Sequence, residues 1–147
     1  MTNKSLNKMF PILALVLSGC MNNQVLPYVV TEPTCRVGKL ENNYDFAGIH
    51  FTLYNNTDKQ IKNFSCTCTI FDSDGDNPFI GNNCIIAKSN NPINSADNSE
   101  VIIKLDPYMN WIPEKPFIIE NFYVTKIEYS DGTVWKDSIG AFRQGGF

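Results

Sequence analysis
The chain has 147 residues, of which 43% are hydrophobic and 18% charged, and its 12 basic and 15 acidic side chains give a net charge of −3. That length suits one domain with a sizeable core, while the acidic balance and the lack of any Lys/Arg cluster argue against nucleic acid or an anionic lipid face as partner. Asparagine recurs in doublets (Asn42-Asn43, Asn55-Asn56, Asn82-Asn83, Asn90-Asn91), a pattern of AT-rich coding bias first and of turn chemistry second.

The predicted elements begin with an address segment. Lys4 and Lys8 precede the apolar run Phe10 to Leu17, and the small residues Ser18 and Gly19 follow. These are the three parts of a secretory signal, and the run is too short to cross a hydrocarbon core about 30 Å thick. Leu17-Ser18-Gly19-Cys20 resembles the lipobox of bacterial lipoproteins. That resemblance implies cleavage after Gly19, a diacylglyceryl thioether on Cys20 and an acylated α-amine, which together make a stable membrane anchor. Met21, where many inner-membrane lipoproteins carry aspartate, implies transit to the outer membrane. The alternative is an ordinary cleaved signal with a chance cysteine. Removing residues 1–19, which hold Lys4 and Lys8 and no acid, leaves 128 residues and a net charge of −5. The expected organisation is a signal peptide over 1–19, a lipidated tether over 20–34 and a folded domain over 35–147.

Five cysteines are odd for an exported protein, and lipidation of Cys20 leaves four: Cys35, Cys66, Cys68 and Cys84. Phe64, Cys66, Cys68 and Ile70 alternate with Ser65, Thr67 and Thr69, which predicts a strand with both central cysteines on its buried face. An extended backbone does not easily bridge Cys66 to Cys68. Disulfides would therefore join Cys35 to one of them and Cys84 to the other; the alternative is that all four are small core thiols. A metal site on this Cys-x-Cys lacks a second cysteine pair or a nearby histidine.

Within the tether, Val25, Leu26, Tyr28, Val29 and Val30 are apolar enough for part of it to dock, and Pro27 and Pro33 restrict that docking to an edge. Strands are predicted from Cys35 to Leu40, before a turn at Glu41-Asn42-Asn43, and from Phe46 to Tyr54. In the latter, Ile49, Phe51 and Leu53 share one face and His50, Thr52 and Tyr54 the other. Asn55-Asn56-Thr57-Asp58 turns the chain into a strand from Gln60 to Phe71.

Asp72, Asp74 and Asp76 are spaced like calcium ligands. An EF-hand frame, however, would place Asn77 where glycine is needed and Asn83 where a bidentate glutamate is needed, so a hairpin loop is favoured and the three aspartates are weak cation candidates. A shorter strand is expected from Phe79 to Lys88, a mobile polar loop from Ser89 to Ser99, and a strand from Glu100 to Leu105. Asp106-Pro107 opens a helical turn that puts Tyr108 and Trp111 on one side, as a lid over the sandwich end or as aromatic contacts for a partner.

Phe117 to Tyr129 and Thr133 to Lys136 flank Ser130-Asp131-Gly132. A two-residue loop would pair Glu128 with Trp135. A three-residue loop with Gly132 left-handed pairs Ile127 with Trp135 and keeps the apolar residues together, so it is the expected register. Ile139 to Phe147 is a glycine-rich tail at an edge.

About seven short strands between turn clusters predict an all-β chain folded as an immunoglobulin-like β-sandwich. The run Phe51-Thr52-Leu53-Tyr54-Asn55-Asn56-Thr57, with Phe71-Asp72-x-Asp74-Gly75 and Ile127-x-Tyr129-x-Asp131-Gly132-Thr133-x-Trp135, resembles the small Ig-like domains of bacterial lipoproteins of the FxLYD type. The resemblance implies a fold and no active site. The one histidine, His50, cannot build a two-histidine metal site, and no nucleophile or phosphate-loop motif is present. No cofactor is expected. The sequence therefore predicts a non-catalytic binding module at the cell envelope, contacting an envelope or host protein. The alternatives are a structural lipoprotein of an envelope complex, a weak divalent-cation module or an enzyme.

Overall fold
A computed structural model describes residues 25–39, 45–109, 111 and 113–143. The signal, the lipobox with Cys20, the Glu41-Asn42-Asn43 turn and the end of the tail lie outside the described residues. Among the described residues eight strands form two antiparallel sheets: β1 (Tyr28–Val30), β2 (Thr34–Lys39), β3 (Asp45–Asn55), β4 (Ile61–Phe71), β5 (Cys84–Ser89), β6 (Asn98–Lys104), β7 (Ile118–Tyr129) and β8 (Val134–Lys136). A short 3₁₀ turn, Asp106–Tyr108, follows β6.

The first sheet is built on β3. On one side β3 pairs with β6, from Gly48↔Lys104 to Tyr54↔Asn98. On the other it pairs first with β2 and then with β1, so these two short strands act as one edge interrupted at Thr31–Pro33. The Thr31 hydroxyl accepts the Thr52 N–H at 2.8 Å and carries the ladder across that break. The second sheet runs β5-β4-β7-β8. The links β3–β4, β5–β6 and β6–β7 cross between sheets while β4–β5 and β7–β8 are neighbours, the Greek-key wiring of an immunoglobulin-like sandwich. Tyr28–Val30, assigned to the tether by sequence, is thus part of the fold.

Alternation supplies the core. Ile49, Phe51 and Leu53 point inward from β3, and Phe64, Cys66, Cys68 and Ile70 from β4. Phe51 meets Phe122 edge-on at 4.7 Å and Phe64 at 6.4 Å, joining the two sheets. In β7 the inward phase changes twice. Asn121 takes a left-handed φ of 53° between the pairs Thr67↔Tyr123 and Thr69↔Glu120, and Thr125 is the extra residue between Cys66↔Val124 and Ser65↔Lys126. These bulges let Phe122 and Val124, then Ile127 and Tyr129, all face the core.

The β7–β8 hairpin takes the three-residue register: Ile127 pairs with Trp135, and Gly132 has φ 85°. The strand expected to start at Phe79 starts instead at Cys84. Asn77 donates to the Gly81 carbonyl (2.7 Å) and accepts the Phe79 N–H (2.9 Å), holding that segment as a loop. The Ser89 to Ser99 loop, expected to be mobile, is tied down. Ile93 is buried and pairs with Ile61 in both directions at 2.9 Å, while the buried Asn55 amide donates to the carbonyls of Lys59, Ile93 and Asn94. Beyond β8 the described tail forms turns and adds no strand: Asp137 accepts the N–H groups of Ala141 and Phe142, both at 2.9 Å.

Candidate functional site
The acidic loop after β4 turns inward on itself. One Asp72 carboxylate oxygen accepts the N–H groups of both Asp74 and Asp76 at 2.9 Å, and Gly75 supplies the left-handed turn at φ 87°. Asp72 is thereby a loop cap, and among the described residues no group of three His, Cys, Asp or Glu side chains gathers around a cation-sized point.

Cys35, Cys66, Cys68 and Cys84 are free thiols. Cys66 and Cys68 are each 2% exposed on the inner face of β4, as the alternation predicts. Cys84 pairs across from Thr69 and Cys68 across from Ile85, so Cys68 and Cys84 point to opposite faces of the sheet and cannot approach each other. Burial pushes the Cys35 and Cys66 thiols up and the Cys68 thiol to about 12, which keeps these buried sulfurs protonated and unreactive. The Cys84 sulfur lies 3.2 Å from the Thr67 hydroxyl.

His50, expected on a solvated face, is buried in the first sheet between Thr34 of β2 and Ile102 of β6. Burial lowers its pKa, the Arg36 charge lowers it further, and Glu100 opposes both. With Glu32, Thr34 and Thr52 these residues line a polar hollow of about 230 Å³.

Tyr108 and Trp111 do not share a side, because the 3₁₀ turn ends at Tyr108. The Trp111 ring, 52% exposed, stands edge-on to Phe117 at 6.2 Å, and Phe117 does the same to Phe79 at 5.9 Å. This cluster walls a hollow of about 250 Å³ beside Asp72 and Glu114. The Tyr108 hydroxyl goes elsewhere, donating to the Ile86 carbonyl of β5 at 3.2 Å and so linking the two sheets.

That link closes one end of a groove of about 460 Å³ between β5 and β6, the edge strands of the two sheets. Phe64, Cys66, Val101 and Ile103 form its apolar floor, Ser89, Asn90 and Asn91 one rim, and the exposed Lys88 and Lys104 its charges. Among the described residues no carboxylate lines it. Sequence reasoning missed this site. Its one signal was a lysine at or near the end of each of two short apolar strands, a pattern typical of sheet edges. No family model, no curated protein and no solved structure matches the chain.

Proposed function
We propose that the protein is a lipid-anchored, non-catalytic binding module of the cell envelope, held at the membrane by Cys20 and recognising a partner protein through its sandwich. The observation that carries the recognition half is the β5–β6 groove, which combines an apolar floor, two strand edges that meet no further strand among the described residues and two lysines. The anchor half rests on Lys4, Lys8, the apolar run to Leu17 and the lipobox. The non-catalytic reading draws support from side chains already committed to structure. Asp72 caps its own loop, Asp131 pairs with Lys59 at 2.8 Å, Glu128 pairs with Lys126 and Asn63, and Asp137 caps the tail. Among the described residues no helix is long and apolar enough to cross a membrane.

Crosslinking and mass spectrometry in native membranes, comparing wild type with Cys20→Ala, tests both halves. The expected result is a membrane-associated wild type with a reproducible crosslinked partner, and a Cys20→Ala chain lost from the membrane fraction. Identical localisation and partners in the two samples would remove the anchor. A wild type without any crosslinked partner would remove the binding role.

A further inference from the structure
The two walls of the groove are strand edges whose outer backbone groups meet no other strand among the described residues. In β6 the phase is set by two bonds to β3, Leu105 N–H to Ala47 C=O at 3.0 Å and Asn55 N–H to Asp97 C=O at 2.8 Å. Alternation then turns the N–H and C=O groups of Glu100, Ile102 and Lys104 outward. In β5 the Ile70 N–H to Asn83 C=O bond, 3.0 Å, leaves Cys84, Ile86 and Lys88 facing out in the same way. The Ile86 carbonyl is already taken by Tyr108. That makes β6, seven residues long, the freer edge.

Charge specifies what fits. The groove carries Lys88 and Lys104 in a chain of net charge −3, and neither lysine forms a salt bridge among the described residues. Lys88 feels Glu128 on the outer face of its sheet, but Lys126 and Asn63 hold that carboxylate. Exposed apolar side chains, Ile86 at 71% and Ile102 at 46%, stand on the two strands. Edge lysines such as these discourage indiscriminate strand pairing. An acidic strand converts the same two charges into attraction.

We propose that the groove receives an extended acidic segment of the partner protein, which adds to the first sheet as a strand beside β6 and sets its carboxylates against Lys88 and Lys104. This rests on the binding-module reading above and names the chemistry of the partner. Main-chain hydrogen bonds to Ile102 and its neighbours would supply affinity, and the apolar floor would select alternate side chains.

The test is fluorescence anisotropy on the full-length protein in detergent with labelled synthetic peptides: alternating Glu and Val, the same with a methylated backbone, and alternating Lys and Val. Only the unmodified Glu-Val peptide should bind, and more weakly at high salt. The double variant Lys88→Glu/Lys104→Glu should lose at least about tenfold in affinity. Ile102→Pro should lose a similar factor with an unchanged unfolding midpoint, because the N–H it removes faces out of the ladder. Absence of binding, equal binding of the methylated peptide, or full affinity in the lysine variant would overturn the proposal. If wild type then still crosslinks its partner in membranes, the binding-module reading stands and another surface carries it; if that crosslink is missing as well, both fail.

Discussion

The two long sides of the sandwich treat their strand edges in opposite ways. On one side the edges are the interrupted pair β1 and β2, of three and six residues, and the three-residue β8, and aromatic rings sew them shut where β1 faces β8. Tyr28 stands edge-on to Trp135 at 5.5 Å and accepts the Val124 N–H through its hydroxyl at 3.4 Å, and the Phe142 ring lies tilted against Trp135 at 6.2 Å. On the other side β5 and β6 are six and seven residues, a groove separates them, and one Tyr108 hydrogen bond spans it. The sewn side is closed by buried rings, while the open side leaves strand-edge backbone and two lysines exposed.

Five outcomes would break or sharpen that contrast. The largest effect is expected from Tyr28→Ala, which removes a fully buried ring from the sewn side and should cost about 3 to 5 kcal/mol in denaturant unfolding. Next is Asn55→Ala. It removes the side-chain bonds to the carbonyls of Ile93 and Asn94 in the loop that joins the two open-side strands, and should cost about 2 kcal/mol while making that loop the first site of protease cleavage.

Smaller effects are read through pH. Burial raises the Tyr28 hydroxyl from 10.0 to about 12, so the folded chain keeps a proton that the unfolded chain has lost between those values. Its contribution to stability is complete below pH 10.0 and disappears as pH rises towards about 12; a Tyr28→Phe variant should lack that share of the alkaline loss. His50 runs the other way. Its lowered pKa means the unfolded chain binds the proton first, so stability falls as pH drops below the ordinary value of 6.5, and His50→Gln should flatten that acid slope. The smallest effect belongs to Lys88→Glu/Lys104→Glu, which should move the unfolding free energy by no more than about 0.5 kcal/mol, since both side chains are exposed and outside any salt bridge among the described residues. A large destabilisation there would show that the open side is as structurally committed as the sewn one.

Features set by neighbours in the sequence were legible before the structure. The alternation of Ile49, Phe51 and Leu53 and the Ser130-Asp131-Gly132 loop register each depend on a few adjacent residues, and both appear as expected. Features set by distant residues were not. The bulges at Asn121 and Thr125 exist because β4 and β7 must keep large side chains inward together, which neither strand reveals alone. The pin on the Ser89 to Ser99 loop comes from Asn55, 38 residues before Ile93. The groove itself needs two edges from different sheets side by side, and Tyr108 parted from Trp111 because a 3₁₀ turn ended where a longer helical turn was expected.

The early start of β1 has a geometric consequence. The Pro27 carbonyl already accepts the Asn56 N–H at 3.0 Å, so the chain is fastened to the sandwich from that residue onward. Between the proposed lipid on Cys20 and this fastening lie only Met21 to Pro27, a leash whose fully extended reach is at most about 25 Å. If Cys20 carries the proposed lipid, such a leash would keep the domain close to the bilayer with the turn at Asn56 to Lys59 and the hairpin tip at Asp131 towards it, and a partner reaching the groove would approach from the flank.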